Sequence, residues 1–186
     1  MNRVVCGLLL DFVLLLAPAA SGAGRCESTV PLPAGVIEAE PGIHAVVFAA
    51  KDLRSGTCWQ TGTTGVLERH PPWSTFKLPH FVIALAAGAA SSATEVMHWD
   101  KARRPADSHW PEAWRQDQSL NTAFTRSAAW PFQELVPKVG HAGYALWLDR
   151  FGYGNRDTAG GRDDFWLGGP FRISAAEQVA FLSCLA

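Results

Sequence analysis

The chain has 186 residues, of which 48% are hydrophobic and 18% are charged, a composition typical of one globular domain rather than of a disordered segment. Its 16 basic and 17 acidic residues nearly balance and form no lysine or arginine run, so nucleic acid is not an expected partner. No CxxC or HExxH motif occurs and the six histidines are scattered, so the sequence predicts no metal site.

The first 23 residues have the order of regions found in a secretory signal peptide. A basic residue precedes an apolar stretch and then small residues, so cleavage is expected after Ala19 or Ala23. A buried N-terminal helix is the alternative, and Asp11 interrupts the apolar stretch. No later segment approaches the ~18 apolar residues of a spanning helix. We therefore expect residues 24–186 to be periplasmic or secreted, without a membrane span.

Export makes disulfides permissible, and three cysteines would remain after cleavage. They are Cys26, Cys58 and Cys184. Because the number is odd, one thiol must stay outside any intramolecular disulfide. A bond between Cys26 and Cys58 is allowed but not required, and the sequence leaves the pairing open.

The predicted elements begin with a strand pair. Residues 44–50 read as a short buried strand, 54–56 as a turn, and 57–61 as the second arm of a hairpin. Helices dominate the rest of the chain. They are a buried helix from Ser74 to Gly88 with Pro79 as a potential kink, a short helix capped by Ser119, helices over 130–139 and 144–150, and a last helix opened by the capping box of Ser174 and Glu177. A hairpin followed by helices predicts the α+β class.

One motif carries nucleophile chemistry. The S-x-x-K of Ser74 and Lys77 places a hydroxyl and an amine one turn apart on one face of a helix. A desolvated lysine can take the proton of a serine and so activate it. Only one of the four lysines fits the motif, at a predicted helix N-terminus where backbone N–H groups can stabilise an oxyanion. S-x-x-K is a signature of β-lactamases and penicillin-binding proteins, but alone it is weak, since roughly one match arises by chance.

Residues 72–80, PWSTFKLPH, resemble the nucleophile segment of class D (oxacillinase-type) serine β-lactamases. Four further landmarks follow in the order of that family. They are Trp99-Asp100, Ser127-Ala128-Ala129 at the family's S-x-V, Tyr153-Gly154-Asn155 as its Y-G-N, and Asp164-Phe165-Trp166-Leu167. Taken singly, Ser127 would be a helix cap, the Y-G-N a turn and Trp166 a core aromatic. Their order, over about residues 42–185, makes the resemblance specific.

The resemblance implies a serine β-lactamase or penicillin-binding transpeptidase-like fold and hydrolysis of β-lactam antibiotics. It makes Ser74 the nucleophile, Lys77 an N6-carboxylated general base, and Ser127 a proton relay. The indole N–H of Trp166 would hold the carbamate. It also implies carbon dioxide or bicarbonate for that modification, with no other cofactor. Four positions would line or shape the site: Ala129, Tyr153, Asn155 and Leu167. In the family, the valine that Ala129 replaces shields the carbamate together with the leucine after the tryptophan, here Leu167.

Two departures from the family pattern stand out. Ala129 replaces the usual valine, so shielding of the carbamate is expected to be looser. The chain also stops before the family's K-[ST]-G strand, so residues 24–186 are expected to be the N-terminal two-thirds of one domain, marginally folded and inactive alone. Lys138-Val139-Gly140 lacks the hydroxyl residue and is rejected as that motif.

Two other functions compete with hydrolysis. A penicillin-sensor domain uses a similar S-x-x-K site but keeps its acyl adduct. Such sensors usually follow membrane helices, so the signal peptide favours the enzyme. A non-catalytic remnant is the third alternative.

Overall fold

The computed structural model describes residues 28–32, 46–62, 64–159 and 163–186. The predicted signal peptide, residues 1–23, lies outside them. The chain divides into two compact units, the first made of Met1–His70, Arg150–Gly154 and Ile173–Ala186 and the second of Pro71–Asp149 and Asn155–Arg172. Both strands and helices are present, which confirms the α+β class.

A three-stranded sheet lies in the first unit. Its strands are β1 (Ser28–Pro31), β2 (Ala49–Lys51) and β3 (Thr57–Gln60), in the order β1-β3-β2. The antiparallel pairing of β2 with β3 confirms the predicted hairpin, although β2 is shorter than the predicted strand. β1 runs parallel to β3 and was not predicted, because its four exposed residues show no alternation of apolar and polar side chains.

The first unit also contains a two-stranded pairing and a helix. β4 (Arg69–His70) pairs with β5 (Ile173–Ser174), which leads directly into the last helix of the chain, Ala175–Leu185. Ser174 caps this helix, and both hydrogen bonds of the predicted capping box with Glu177 are present. The helix packs against β2, and the core of the unit includes Cys58, Val66, Tyr153, Ile173 and Phe181.

Four helices form the frame of the second unit: α1 (Lys77–Ala86), α2 (Leu120–Thr125), α3 (Trp130–Val139) and α4 (His141–Phe151). The last helix of the chain is therefore α5. α3 has the predicted bounds, while α4 starts three residues earlier than predicted. α1 is preceded by a 3₁₀ turn and ends before Gly88, whose φ of 67° suits glycine. α1 packs against α2 and α3.

Pro79 lies at the third position of α1. The first N–H groups of a helix have no acceptor within it, so proline there removes no helical hydrogen bond. The predicted flaw is thus a tolerated first-turn proline.

None of the helices in the part of the chain that the structure describes is long and apolar enough to cross a bilayer.

Cys58 is disulfide-bonded, whereas Cys184 keeps its thiol.

Candidate active site

The nucleophile candidate Ser74 lies in the 3₁₀ turn Trp73–Phe76, directly before α1. Its hydroxyl is exposed, while Lys77, the first residue of α1, is only 2% exposed. The amine Nζ of Lys77 donates a hydrogen bond of 2.9 Å to Oγ of Ser74. The S-x-x-K spacing therefore gives the predicted contact, between a buried amine and an accessible hydroxyl.

Lys77 is on the buried face of α1, together with His80, Ile83 and Ala84. Among the described residues, no carboxylate forms an ion pair with its amine. Burial lowers the pKa of Lys77 from 10.5 to about 8. About a tenth of the amine is then neutral at pH 7, several hundred times more than for an exposed lysine. A neutral amine can accept a proton or add carbon dioxide.

Ser127 completes a triangle of polar atoms. Its Oγ donates to Oγ of Ser74 over 3.1 Å and accepts from Nζ of Lys77 over 3.3 Å. Ser127 follows α2 with a φ of 54°, in the left-handed region that side chains other than glycine rarely adopt. Such strain costs roughly 1–3 kcal/mol and is often found at functional sites. The N-cap of the following helix is Ala129, so Ser127 is not the cap residue of that helix.

Trp166 packs beside the start of α1. Its ring stacks on Phe76 at a centroid distance of 5.5 Å and meets His80 edge to face at 5.0 Å. The residue is fully buried, yet its indole Nε1 has no hydrogen-bond partner in the described structure. A buried donor without an acceptor is costly, so this atom is suited to an anionic acceptor.

Asn155 closes the loop that carries Trp166. Its backbone N–H donates to the carbonyl of Arg172 over 2.9 Å, and its Oδ1 accepts from the N–H of Arg172 over 2.9 Å. Its Nδ2 donates to the carbonyl of Pro170 over 3.0 Å. These bonds tie the two ends of residues 155–172 together, so the structure gives Asn155 a loop-closing position.

The other predicted residues are Tyr153, Ala129 and Leu167. Tyr153 belongs to the first compact unit, where its hydroxyl donates to Oε1 of Gln178 over 3.0 Å. Ala129 is the half-buried cap residue of α3, and Leu167 is half-buried next to Trp166.

His80 and Tyr144 were missed by the sequence reasoning. His80 is fully buried one turn after Lys77, and its Nε2 lies 2.5 Å from the hydroxyl of Tyr144. The i, i+3 spacing to Lys77 was the available signal, because residues at this spacing share a helix face. The 64 residues between His80 and Tyr144 gave no such signal.

A cavity is present elsewhere in the second unit. It has a volume of about 600 Å³ and is lined by residues that include Arg104 and Asp163, which form an ion pair. Neither Ser74 nor Lys77 lines it. No group of three or more metal-ligating side chains occurs among the described residues.

Residues 55–186 match the family described as the penicillin binding protein transpeptidase domain. The chain is 36% identical over 118 residues to the β-lactamase OXA-20 of Pseudomonas aeruginosa, which covers 63% of this chain and 42% of that protein. It is similar to the class D β-lactamase structure from Sebaldella termitidis, with a TM-score of 0.67, 27% identity, and coverage of 73% and 53%. For the BPu1 β-lactamase structure the TM-score is 0.66 at 31% identity, with coverage of 74% and 57%. The chain spans about half the length of the curated relatives it matches.

Proposed function

Because this chain belongs to the penicillin-binding protein transpeptidase family, and within it to the class D serine β-lactamases, we propose that its protein hydrolyses β-lactam antibiotics. The observation that carries the proposal is the contact of Ser74 with both Lys77 and Ser127. A buried amine, an exposed hydroxyl and a second hydroxyl are the groups that acyl transfer requires.

Acylation follows from the geometry of these groups. Lys77 takes the proton of Ser74 while Oγ of Ser74 forms a bond to the β-lactam carbonyl carbon. The ring C–N bond then breaks, and the leaving nitrogen receives the proton of the Ser127 hydroxyl. Lys77 then returns a proton to Ser127. Ser74 lies in the first turn of a helical segment, where its backbone N–H has no helical partner and can stabilise the oxyanion.

Deacylation uses the same base. Lys77 accepts a proton from water as the water attacks the acyl carbonyl, and the proton returns to Ser74 when the ester bond breaks. Lys77 is the residue that would carry the carbamate, and the unpartnered indole N–H of Trp166 fits an anion there. When carbon dioxide is bound, the modification supplies an anionic base in place of the amine.

The proposal is tested in the natural protein, expressed from its complete reading frame. Ser74→Ala should lower hydrolysis of a chromogenic cephalosporin by about 10³-fold or more. Ser108→Ala, which removes an exposed hydroxyl away from the triangle, is the matched control and should keep full activity. Hydrolysis that survives in Ser74→Ala would overturn Ser74 as the nucleophile.

Mass spectrometry after addition of benzylpenicillin distinguishes the enzyme from a sensor. A hydrolase should clear its acyl adduct within the time of a few turnovers, so the unmodified mass should return once substrate is exhausted. An adduct that persists for hours, with no turnover, would identify a penicillin sensor instead.

Export is part of the same proposal. The region order of residues 1–23 supports a cleaved signal peptide and a periplasmic or secreted protein. N-terminal sequencing of the exported protein should find cleavage after Ala19 or Ala23. An intact N-terminus in the cytoplasm would contradict it.

A further inference from the structure

A buried polar pair lies directly behind the candidate base. His80 is 0% exposed on the same face of α1 as Lys77, in a setting of aromatic rings. Its imidazole contacts the rings of Phe76, Phe132, Tyr144 and Trp166 at centroid distances between 5.0 and 5.5 Å. A titratable group in such a setting needs a partner to be tolerated, and its partner is Tyr144.

The direction of the hydrogen bond between Tyr144 and His80 follows from burial. Burial raises the pKa of the Tyr144 hydroxyl far above its usual value, so the hydroxyl keeps its proton. Its one hydrogen bond in the described structure is with Nε2 of His80, over 2.5 Å. If the hydroxyl donates to Nε2, the only group left unpaired is the N–H on Nδ1; in the reverse direction the tyrosine proton and the Nδ1 lone pair would both be unpaired. The first arrangement therefore satisfies more buried groups and places the imidazole hydrogen on Nδ1.

The imidazole also stays uncharged. Burial, and to a smaller extent the charge of Lys77, lowers the pKa of His80 to about 3. A neutral ring adds no second positive charge beside the amine of Lys77. Without Tyr144, either tautomer of this ring would be available.

Two buried N–H groups then lack acceptors. One is Nδ1–H of His80 and the other is Nε1–H of Trp166, and neither nitrogen has a partner in the described structure. The two rings meet edge to face, at 5.0 Å and 83°. The two rings thus offer N–H donors without acceptors, which suits an anion.

We propose that His80 and Tyr144 form a positioning pair for the base at Lys77, in which Tyr144 fixes the tautomer of His80 and the imidazole fixes the indole of Trp166. This inference rests on the proposed function, since Trp166 is the residue suited to hold the carbamate. Neither residue touches the substrate. Both act through Trp166.

Tyr144→Phe is the primary test, because it removes one hydroxyl and keeps the ring that packs on His80. We expect kcat to fall about tenfold with KM changed less than about twofold, since a misplaced supporting group slows chemistry more than binding. The carbon-13 NMR signal of the lysine carbamate should fall at a fixed bicarbonate concentration. The indole N–H resonance of Trp166, assigned with Trp166→Phe, should shift.

Thr158→Val is the matched control, because Thr158 is also buried in the second unit and its Oγ1 donates to the carbonyl of His141 over 3.3 Å. It should lower the melting temperature about as much as Tyr144→Phe does, but leave kcat and the carbamate signal unchanged. His80→Gln, whose amide oxygen can accept from Tyr144, should retain more carbamate than His80→Ala. Equal loss in both His80 variants would overturn a role for the hydrogen bond.

A double-mutant cycle tests whether the pair acts through Trp166. In a Trp166→Phe background, Tyr144→Phe should no longer change kcat or the carbamate signal. Additive effects, or a lower melting temperature with no change in kcat, carbamate or indole resonance, would reduce the pair to a structural role.

The inference and the proposed function fail in different ways. If the wild-type protein neither hydrolyses β-lactams nor forms a carbamate, the function fails, and nitrogen-15 NMR still decides the pairing. An Nδ1-protonated His80 between pH 5 and 8 and an indole shift in Tyr144→Phe would support the pair. An Nε2-protonated or charged imidazole would overturn it.

Discussion

The helices α5 and α1 each carry a charged side chain in the first turn, and the surroundings of the two side chains differ. In the Glu177 cluster (Arg69, Ser174 and Glu177), the carboxylate lies in the first turn of α5, where the helix dipole favours a negative charge. Its oxygens accept from both the N–H and the hydroxyl of Ser174 and pair with Arg69. Burial works against the charge of Glu177, but these partners outweigh it and hold its pKa below the usual value.

In the Lys77 cluster (Ser74, Lys77 and Ser127), a cation occupies the start of α1, the end of a helix that disfavours positive charge. Its only described hydrogen-bond partners are the two hydroxyls. The mismatch with burial and dipole is what makes the amine a usable base. A cluster whose charges are all matched stabilises the fold, whereas a mismatched cluster gives up stability for chemistry.

Lys77→Met should have the largest effect of the substitutions considered. Its activity should fall while its stability should rise. We expect hydrolysis to fall by about 10³-fold or more, since Ser74 loses its base. In buffer free of carbon dioxide at pH 7, the free energy of unfolding should rise by about 1–2 kcal/mol, because a buried unpaired cation is removed. Urea denaturation measures this change. Lys138→Met, at an exposed position, should change it by less than about 0.5 kcal/mol.

The increase in the free energy of unfolding of Lys77→Met should depend on pH. The folded-state pKa of about 8 is below the ordinary value of 10.5, so folding disfavours the ammonium form. The penalty is complete below about pH 8 and declines toward pH 10.5, as the unfolded chain also loses its proton. The advantage of the variant over wild type should therefore shrink over this range. If Lys77→Met were less stable than wild type at pH 7, the charge of Lys77 would not be destabilising in the folded protein.

Glu177→Gln should have the opposite character, a loss of stability at constant activity. We expect the free energy of unfolding at pH 7 to fall by about 1–2 kcal/mol, because charge-assisted hydrogen bonds to Arg69 and Ser174 are weakened. The lowered pKa of Glu177 means that this contribution is present above about pH 4.5 and is lost as the pH falls through the folded value. The two proteins should converge in stability at low pH.

Glu112→Gln is the control for Glu177→Gln. Glu112 also lies in the first turn of a helical segment, but its side chain is 88% exposed. Its replacement should change stability by less than about 0.5 kcal/mol. Equal losses in the two variants would show that burial and pairing of Glu177 contribute nothing beyond the helix dipole.

Ala129→Val should have the smallest effect, which is on the bicarbonate concentration that turnover requires. If the shorter side chain leaves the Lys77 cluster open to water, carbon dioxide should be lost more readily from the wild-type protein. We expect wild type to need ~2–5-fold more bicarbonate for half-maximal turnover than the variant, while deacylating at least as fast at saturation. Turnover is measured across bicarbonate concentrations. Identical bicarbonate curves would remove Ala129 as a determinant of shielding.

The sequence predicted local features well, because they depend on short spacing. The S-x-x-K spacing predicted that Lys77 lies beside Ser74, and the capping box of Ser174 predicted the start of α5. Both features are present in the structure. Ser127 was found only through the order of family landmarks, since 50 residues separate it from Lys77. A turn of left-handed φ leaves little trace in the residue types around it.

Long-range packing was the part that the sequence did not predict. The pairing of β1 with β3 joins segments with no shared pattern, and the bond between Tyr144 and His80 joins α4 to α1. The hydrogen bond from the hydroxyl of Tyr153 to Gln178, within the first unit, was also not predicted. Family order locates such residues along the chain without giving the direction of their side chains.

Activation of Ser74 by the Lys77 cluster can be tested by locating the acyl group. The protein is mixed with benzylpenicillin, quenched with acid within the first turnover, digested with trypsin and sequenced by tandem mass spectrometry. The account predicts the penicilloyl mass at Ser74, on the tryptic peptide of residues 70–77. In Lys77→Met, whose corresponding tryptic peptide extends to Lys101, it predicts a large loss of that adduct. A penicilloyl group on any other residue, or equal acylation of Ser74 in Lys77→Met, would contradict it.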